Sequence, residues 1–164
     1  MIAQKYALLA RSLVFCFLLF CAYNVQAQVP PLDWALHTGS TSTDQGDAVV
    51  IDALGNAYAA GYHQAAADLD PGTGVVTTTG PGMYIQKLDP QGQLIWAVDF
   101  AGTGNYNIYD LALDASGDLV AAGTFAGTMD FDPGAGTSYH TAQGGKDVFV
   151  LKLSAAGTFI FAKV

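Results

Sequence analysis

The sequence predicts an all-β chain: two copies of a four-stranded antiparallel unit behind a cleavable leader. Three observations carry this. The 164-residue chain repeats itself at a spacing of 62 to 65 residues. Glycine-bearing turn motifs recur at matched positions in both copies and separate short apolar stretches. All fourteen acids are aspartate, and the absent glutamate is a residue on which coiled coils and long helices are built. Charged residues make up 12% and apolar residues 51%, the reverse of a disordered composition. The formal charge of −8, from 6 Lys+Arg against 14 Asp+Glu, argues against a nucleic-acid partner, which calls for a basic patch.

The leader occupies residues 1–27. Lys5 and Arg11 precede an unbroken apolar run from Leu13 to Tyr23, followed by the small-x-small tripeptide Val25-Gln26-Ala27. That order is the secretory signal pattern, with cleavage expected after Ala27. The run is about half of the ~20 residues a membrane-spanning helix needs. An uncleaved anchor is the alternative. Cleavage removes Cys16 and Cys21 together with both leader cations. The mature chain of 137 residues then has four lysines against fourteen aspartates, a charge of −10, with no cysteine and no arginine. Without disulfides it relies on its core, and it is expected to be secreted or at the cell surface, with no membrane contact.

The mature region, residues 28–164, reads as repeat one (34–95), repeat two (96–160) and the start of a third (161–164). A shift of 62 superposes Trp34-Ala35 on Trp96-Ala97, and Asp52-Ala53-Leu54-Gly55-Asn56 on Asp114-Ala115-Ser116-Gly117-Asp118. It also superposes Ala59-Ala60-Gly61 on Ala121-Ala122-Gly123, and Asp68 to Gly74 on Asp130 to Gly136. Three inserted residues then move the offset to 65, so that Lys87-Leu88 meets Lys152-Leu153 and Ile95-Trp96 meets Ile160-Phe161. In the second copy the strands are expected at Leu94–Phe100, Tyr109–Asp114, Asp118–Phe125 and Asp147–Ser154. The Asp-Ala-x-Gly-[Asn/Asp] turns join the middle pair as tight hairpins. Asp89 to Gly92 and Ser154 to Gly157 are expected to join one unit to the next. Runs such as Val148-Phe149-Val150-Leu151 read as strands covered on both faces. Four antiparallel strands per ~62 residues, with both sheet faces buried on neighbours, is the blade of a β-propeller. A β-sandwich is the alternative.

These residues resemble the SBBP-type β-propeller repeats. The likeness rests on Trp-Ala at the unit start, the Asp-Ala-x-Gly-[Asn/Asp] hairpin, the Gly-Thr-x-Asp-Phe-Asp-Pro-Gly stretch ending at Gly134, and the closing Gly-x-Phe-Ile-Phe-Ala-Lys of Gly157–Lys163. It covers about Leu32–Val164. The first copy departs at Tyr62-His63-Gln64-Ala65, where the aromatic-Gly-Thr pattern is lost. The resemblance implies a large secreted or surface protein of bacteria, and architecture more than chemistry. Closed propellers usually have four to eight blades. Two blades are therefore expected to need partners: further blades from a longer chain of which this is an N-terminal piece, or self-association.

Candidate chemistry concentrates on Asp68/Asp70 and its copy Asp130/Asp132. Carboxylates two apart before a Pro-Gly turn offer hard oxygen ligands for calcium. The competing reading makes them turn formers that bind backbone amides, and the missing closing glutamate excludes an EF-hand loop. Asp52 and Asp114 read as turn formers. His37, His63 and His140 fall at different repeat phases and read as surface or satisfied core histidines. Trp34, Trp96 and Phe161 share one phase, which marks them as core or inter-blade packing. Gly102-Thr-Gly104 lacks the third glycine of a dinucleotide loop. No catalytic residue and no cofactor other than the candidate calcium is expected. The reading is therefore a non-catalytic extracellular scaffold or binding module, with a protein or glycan as ligand. The alternatives are the propeller part of a carbohydrate-active enzyme using a carboxylate pair, or a calcium-stabilised surface adhesin.

Overall fold

The computed structural model describes residues 33–101 and 104–164. The expected leader at 1–27, and residues 102 and 103 of the Gly-rich loop, lie outside the described residues. Within them all regular structure is β-strand. The first copy holds β1 (Gly39–Ser40), β2 (Asp44–Ile51), β3 (Ala57–His63), β4 (Ala67–Asp68), β5 (Gly82–Leu88) and β6 (Leu94–Ala101). The second holds β7 (Tyr106–Leu113), β8 (Leu119–Phe125), β9 (Thr128–Asp130), β10 (Tyr139–Thr141), β11 (Asp147–Leu153) and β12 (Phe159–Lys163). Two four-stranded antiparallel sheets result, ordered β2-β3-β5-β6 and β7-β8-β11-β12. Two small ribbons, β1-β4 and β9-β10, accompany them.

One turn geometry builds the hairpins of both sheets. At Asp52, Asp89, Asp114 and Ser154 the amide bonds the carbonyl four residues on, and the glycine three residues on bonds back. Gly55, Gly92, Gly117 and Gly157 each have φ between 78° and 85°, the left-handed residue of a three-residue hairpin loop. The first residue's side-chain oxygen accepts the amides two and four residues later. Bulges repeat too: the register shifts at Asp47 in β2 and at Tyr109 in β7.

The structure places the repeat in a different phase from that expected. Leu94–Ala101 is the fourth strand of the first sheet, paired with β5 from Gly82↔Ala101 to Leu88↔Leu94. The turn at Asp89 is thus a hairpin inside one sheet. A repeat counted from Trp34 straddles two sheets, because sequence similarity fixes the period but leaves its origin free. Residues 33–38 match that fourth strand in sequence and yet lie in no strand.

Each sheet has two distinct faces. Opposed residues of the first sheet put Val50, Tyr58, Ala60, Met83, Ile85, Trp96, Val98 and Phe100 on one face. In the second sheet Ile108, Leu111, Leu119, Ala121, Phe125, Phe149, Leu151 and Leu153 share the other kind of face. These two faces form a single core cluster, with β2 and β7 side by side. β5 is buried almost throughout, whereas β11 alternates between buried and open positions. The expectation that Val148-Phe149-Val150-Leu151 is covered on both faces therefore fails. Val148 is 65% and Val150 37% exposed while Phe149 and Leu151 are fully buried, because nothing among the described residues covers that side.

Candidate functional site

The duplicated aspartates are placed by the loops that follow β4 and β9. Asp68 Oδ1 accepts the amides of Asp70 (3.0 Å) and Val76 (2.9 Å), and Asp130 Oδ1 accepts those of Asp132 (3.1 Å) and Ser138 (2.7 Å). Asp70 and Asp132 each accept the amide two residues on, from Gly72 at 2.7 Å and Gly134 at 2.8 Å. The amides of Val76 and Asp70 hold the Asp68 carboxyl below its ordinary range. The same arrangement twice over is a loop clasp. Among the described residues no three His, Cys, Asp or Glu side chains converge.

Asp130 and Asp132 also line a cleft of about 580 Å³, opposite Asp99 and Pro81 of the first copy and beside Tyr139. Asp99, which sequence reasoning passed over, is a half-buried carboxyl of this cleft. Its Oδ1 lies 2.9 Å from His63 Nε2, and His63 Nδ1 lies 2.8 Å from the Ala65 carbonyl. His63 is 1% exposed. A carbonyl only accepts, so Nδ1 faces the Ala65 carbonyl as donor. Burial raises the Asp99 carboxyl above its ordinary range, and the hydrogen bond from His63 partly opposes this. The signal lay in the departure from the repeat: His63 stands where the second copy has the buried Phe125. His140 lies edge-on to Phe131 at 5.8 Å and His37 is exposed, so the three histidines do not meet.

The raised Asp99 carboxyl predicts a pH dependence. A carboxyl whose folded pKa exceeds the unfolded value of about 3.9 stabilises the fold below that value and loses the contribution as pH rises through the folded pKa. Wild type should therefore lose stability relative to Asp99→Asn as pH rises above about 4. Urea denaturation of both proteins from pH 3.5 to 7 measures this, and a difference running the opposite way refutes it.

Asp52, Asp89, Asp114 and Asp118 serve the hairpins. Asp114 and Asp118 receive Lys152 Nζ at 2.7 and 3.1 Å, and Asp52 receives Lys87 Nζ at 3.6 Å. The Lys152 hydrogen bond lowers Asp114, and the Asn56 side-chain amide lowers Asp52. Trp34 and Trp96 act alike: their indole N–H groups donate to the Pro90 and Ala155 carbonyls at 3.0 and 3.1 Å. Their rings cover Gly92 and Gly157; a Cβ at Gly157 would collide with the Trp96 indole, and one at Gly92 with Leu36 and the edge of the Trp34 indole. Trp96 thereby ties the first sheet to a turn of the second, as its phase suggested. Phe161, at the same phase, sits 36% exposed. Comparison of the chain with family profiles, curated proteins and solved structures finds no match.

Proposed function

We propose that this chain is an exported, non-catalytic scaffold or binding module whose sheets are blades of the β-propeller type, resembling SBBP repeats. The observation that carries the reading is the fate of the duplicated polar groups. The aspartates at matched phases hold hairpin and loop amides, and Trp96 joins the first sheet to a turn of the second. Residues that make the same turn twice serve architecture, and what is left for recognition is the cleft between Asp99 and Asp130. Tyr139, 67% exposed at its mouth, suits an extracellular glycan or protein ligand. The raised Asp99 carboxyl beside two further carboxylates is the feature that favours the enzyme alternative.

Expression in a bacterial host with intact export tests the reading. The secreted protein is expected to begin at Gln28, to release no reducing sugar from polysaccharide panels, and to melt at the same temperature in EDTA and in excess calcium. Sugar release abolished by Asp99→Asn would establish the enzyme. A midpoint raised by calcium and lost in Asp130→Asn/Asp132→Asn would establish the calcium-bound adhesin.

A further inference from the structure

The second sheet presents an outer face that is the repeat counterpart of a buried one. Val148 and Val150 stand where the first copy has Met83 and Ile85, and Phe161 stands where it has Trp96. Met83 and Ile85 are fully buried against the second sheet, whereas Val148 is 65% and Phe161 36% exposed. Tyr109, bonded to Thr124 at 3.1 Å on that same face, is 63% exposed. The complementary half is open along β2, while Ala57, His63, Gln86 and Leu88 on the same face are already buried. Leu111 of β7 is 6% exposed in the joint between the sheets, but its counterpart Val49 on β2 is 68% and the neighbouring Ile51 65% exposed. One molecule thus carries both halves of a sheet-to-sheet joint that it makes once internally and leaves unmade at each end.

We propose that a second copy of this chain fills the joint, docking the Val49/Ile51 side of its first sheet on the Val148/Val150 face. The two sides share the aliphatic positions of the internal interface at Val49, Ile51, Val148 and Val150, while His63, Tyr84 and Gln86 stand where the internal joint has Phe125, Phe149 and Leu151, and Lys163 where it has Val98. The shared aliphatic positions point to a second copy as the occupant. One obstacle identifies the internal competitor. Trp34 holds the seat over Gly92 that Phe161 of the neighbouring copy would take, as Trp96 takes the seat over Gly157. β12 is paired with β11 along Val150↔Lys163 to Leu153↔Phe159, whereas residues 33–38 belong to no strand. The unpaired segment is the one that gives way. Association is therefore head to tail, and residues 33–38 restrain it; such a heterologous contact yields rings or open chains of copies.

The inference deepens the scaffold reading by naming its partner. A folded, strictly monomeric protein would overturn it and leave export and the absence of hydrolysis untouched. Sedimentation velocity on the purified chain from micromolar to near-millimolar concentration is the test. Trp34→Ala/Leu36→Ala is expected to associate at a concentration at least tenfold lower than wild type. Val148→Asp/Val150→Asp, or the single Tyr109→Asp should the double variant lose its β-sheet circular dichroism, is expected to need at least tenfold more. Monomers throughout in wild type and in the Trp34→Ala/Leu36→Ala variant refute the proposal. So does association that the charged variants leave unchanged.

Discussion

Truncating Phe131 to alanine is expected to remove about 3–5 kcal/mol of folding stability. Phe131 is fully buried just beyond β9. Its ring meets Phe125 edge-on at 5.1 Å and Phe149 at 5.0 Å, with His140 against it at 5.8 Å. The loop that carries it is closed by Asp130 and Asp132, so its backbone has little freedom to collapse into the void. The residual cavity adds to the lost transfer energy. For a domain with a typical total of 5–15 kcal/mol, such a loss leaves the fold marginal. The first copy supplies a control, since Leu69 occupies the same phase and is 1% exposed. Phe131→Leu should accordingly cost clearly less than Phe131→Ala. Urea denaturation with an unchanged slope measures both, and a loss below about 1 kcal/mol for the alanine variant would show that the aromatic cluster repacks.

The contrast between those two copies explains what the sequence made legible. The period, the antiparallel pairing and the hairpin loops were readable because they depend on local chemistry. An aspartate or serine that accepts two amides, followed by a glycine at positive φ, writes its geometry into five consecutive residues. Where a hairpin ended and the next unit began was not readable, since Asp89 to Gly92 makes the same loop inside a sheet that it would make between sheets. The start of β7 at Tyr106, three residues earlier than expected, and the short β9-β10 ribbon depend on pairing partners remote in sequence. The loop role of Asp68, Asp70, Asp130 and Asp132 followed from the Asp-Pro-Gly pattern. That Asp130 and Asp132 share a cleft with Asp99 did not, because it requires the ends of both sheets to be brought together. The His63–Asp99 contact escaped for the same reason. A histidine in a phenylalanine's place marks a special position, but its partner lies 36 residues away. Burial on both faces was the expectation that fell furthest, since apolar runs report the affinity of a face for a cover and carry no information on whether the cover is present.

Replacing Trp96 with alanine should cost about 3 kcal/mol, the lower end of the range for large aromatic truncations because the ring is only half-buried. Its position separates two contributions. The indole packs edge-on against Tyr58 at 5.9 Å within its own sheet, while its N–H reaches the Ala155 carbonyl of the other sheet at 3.1 Å. Trp96→Phe keeps most of the ring and loses the hydrogen bond, so it should cost only about 1 kcal/mol. Phe161 is the sequence's own instance of that replacement. If Trp96 holds the two sheets as one cooperative unit, its truncation should do more than lower the midpoint. The sheets should begin to unfold separately, and the denaturant slope should fall or the transition split in two. Trp34→Ala removes the same side chain from a segment that belongs to no sheet. It should leave the slope intact and cost markedly less. Equal losses from the two tryptophans, with a single unchanged transition in both, would mean that the joint between the sheets is carried by the aliphatic faces of β2, β5 and β7 and that the indole merely covers it.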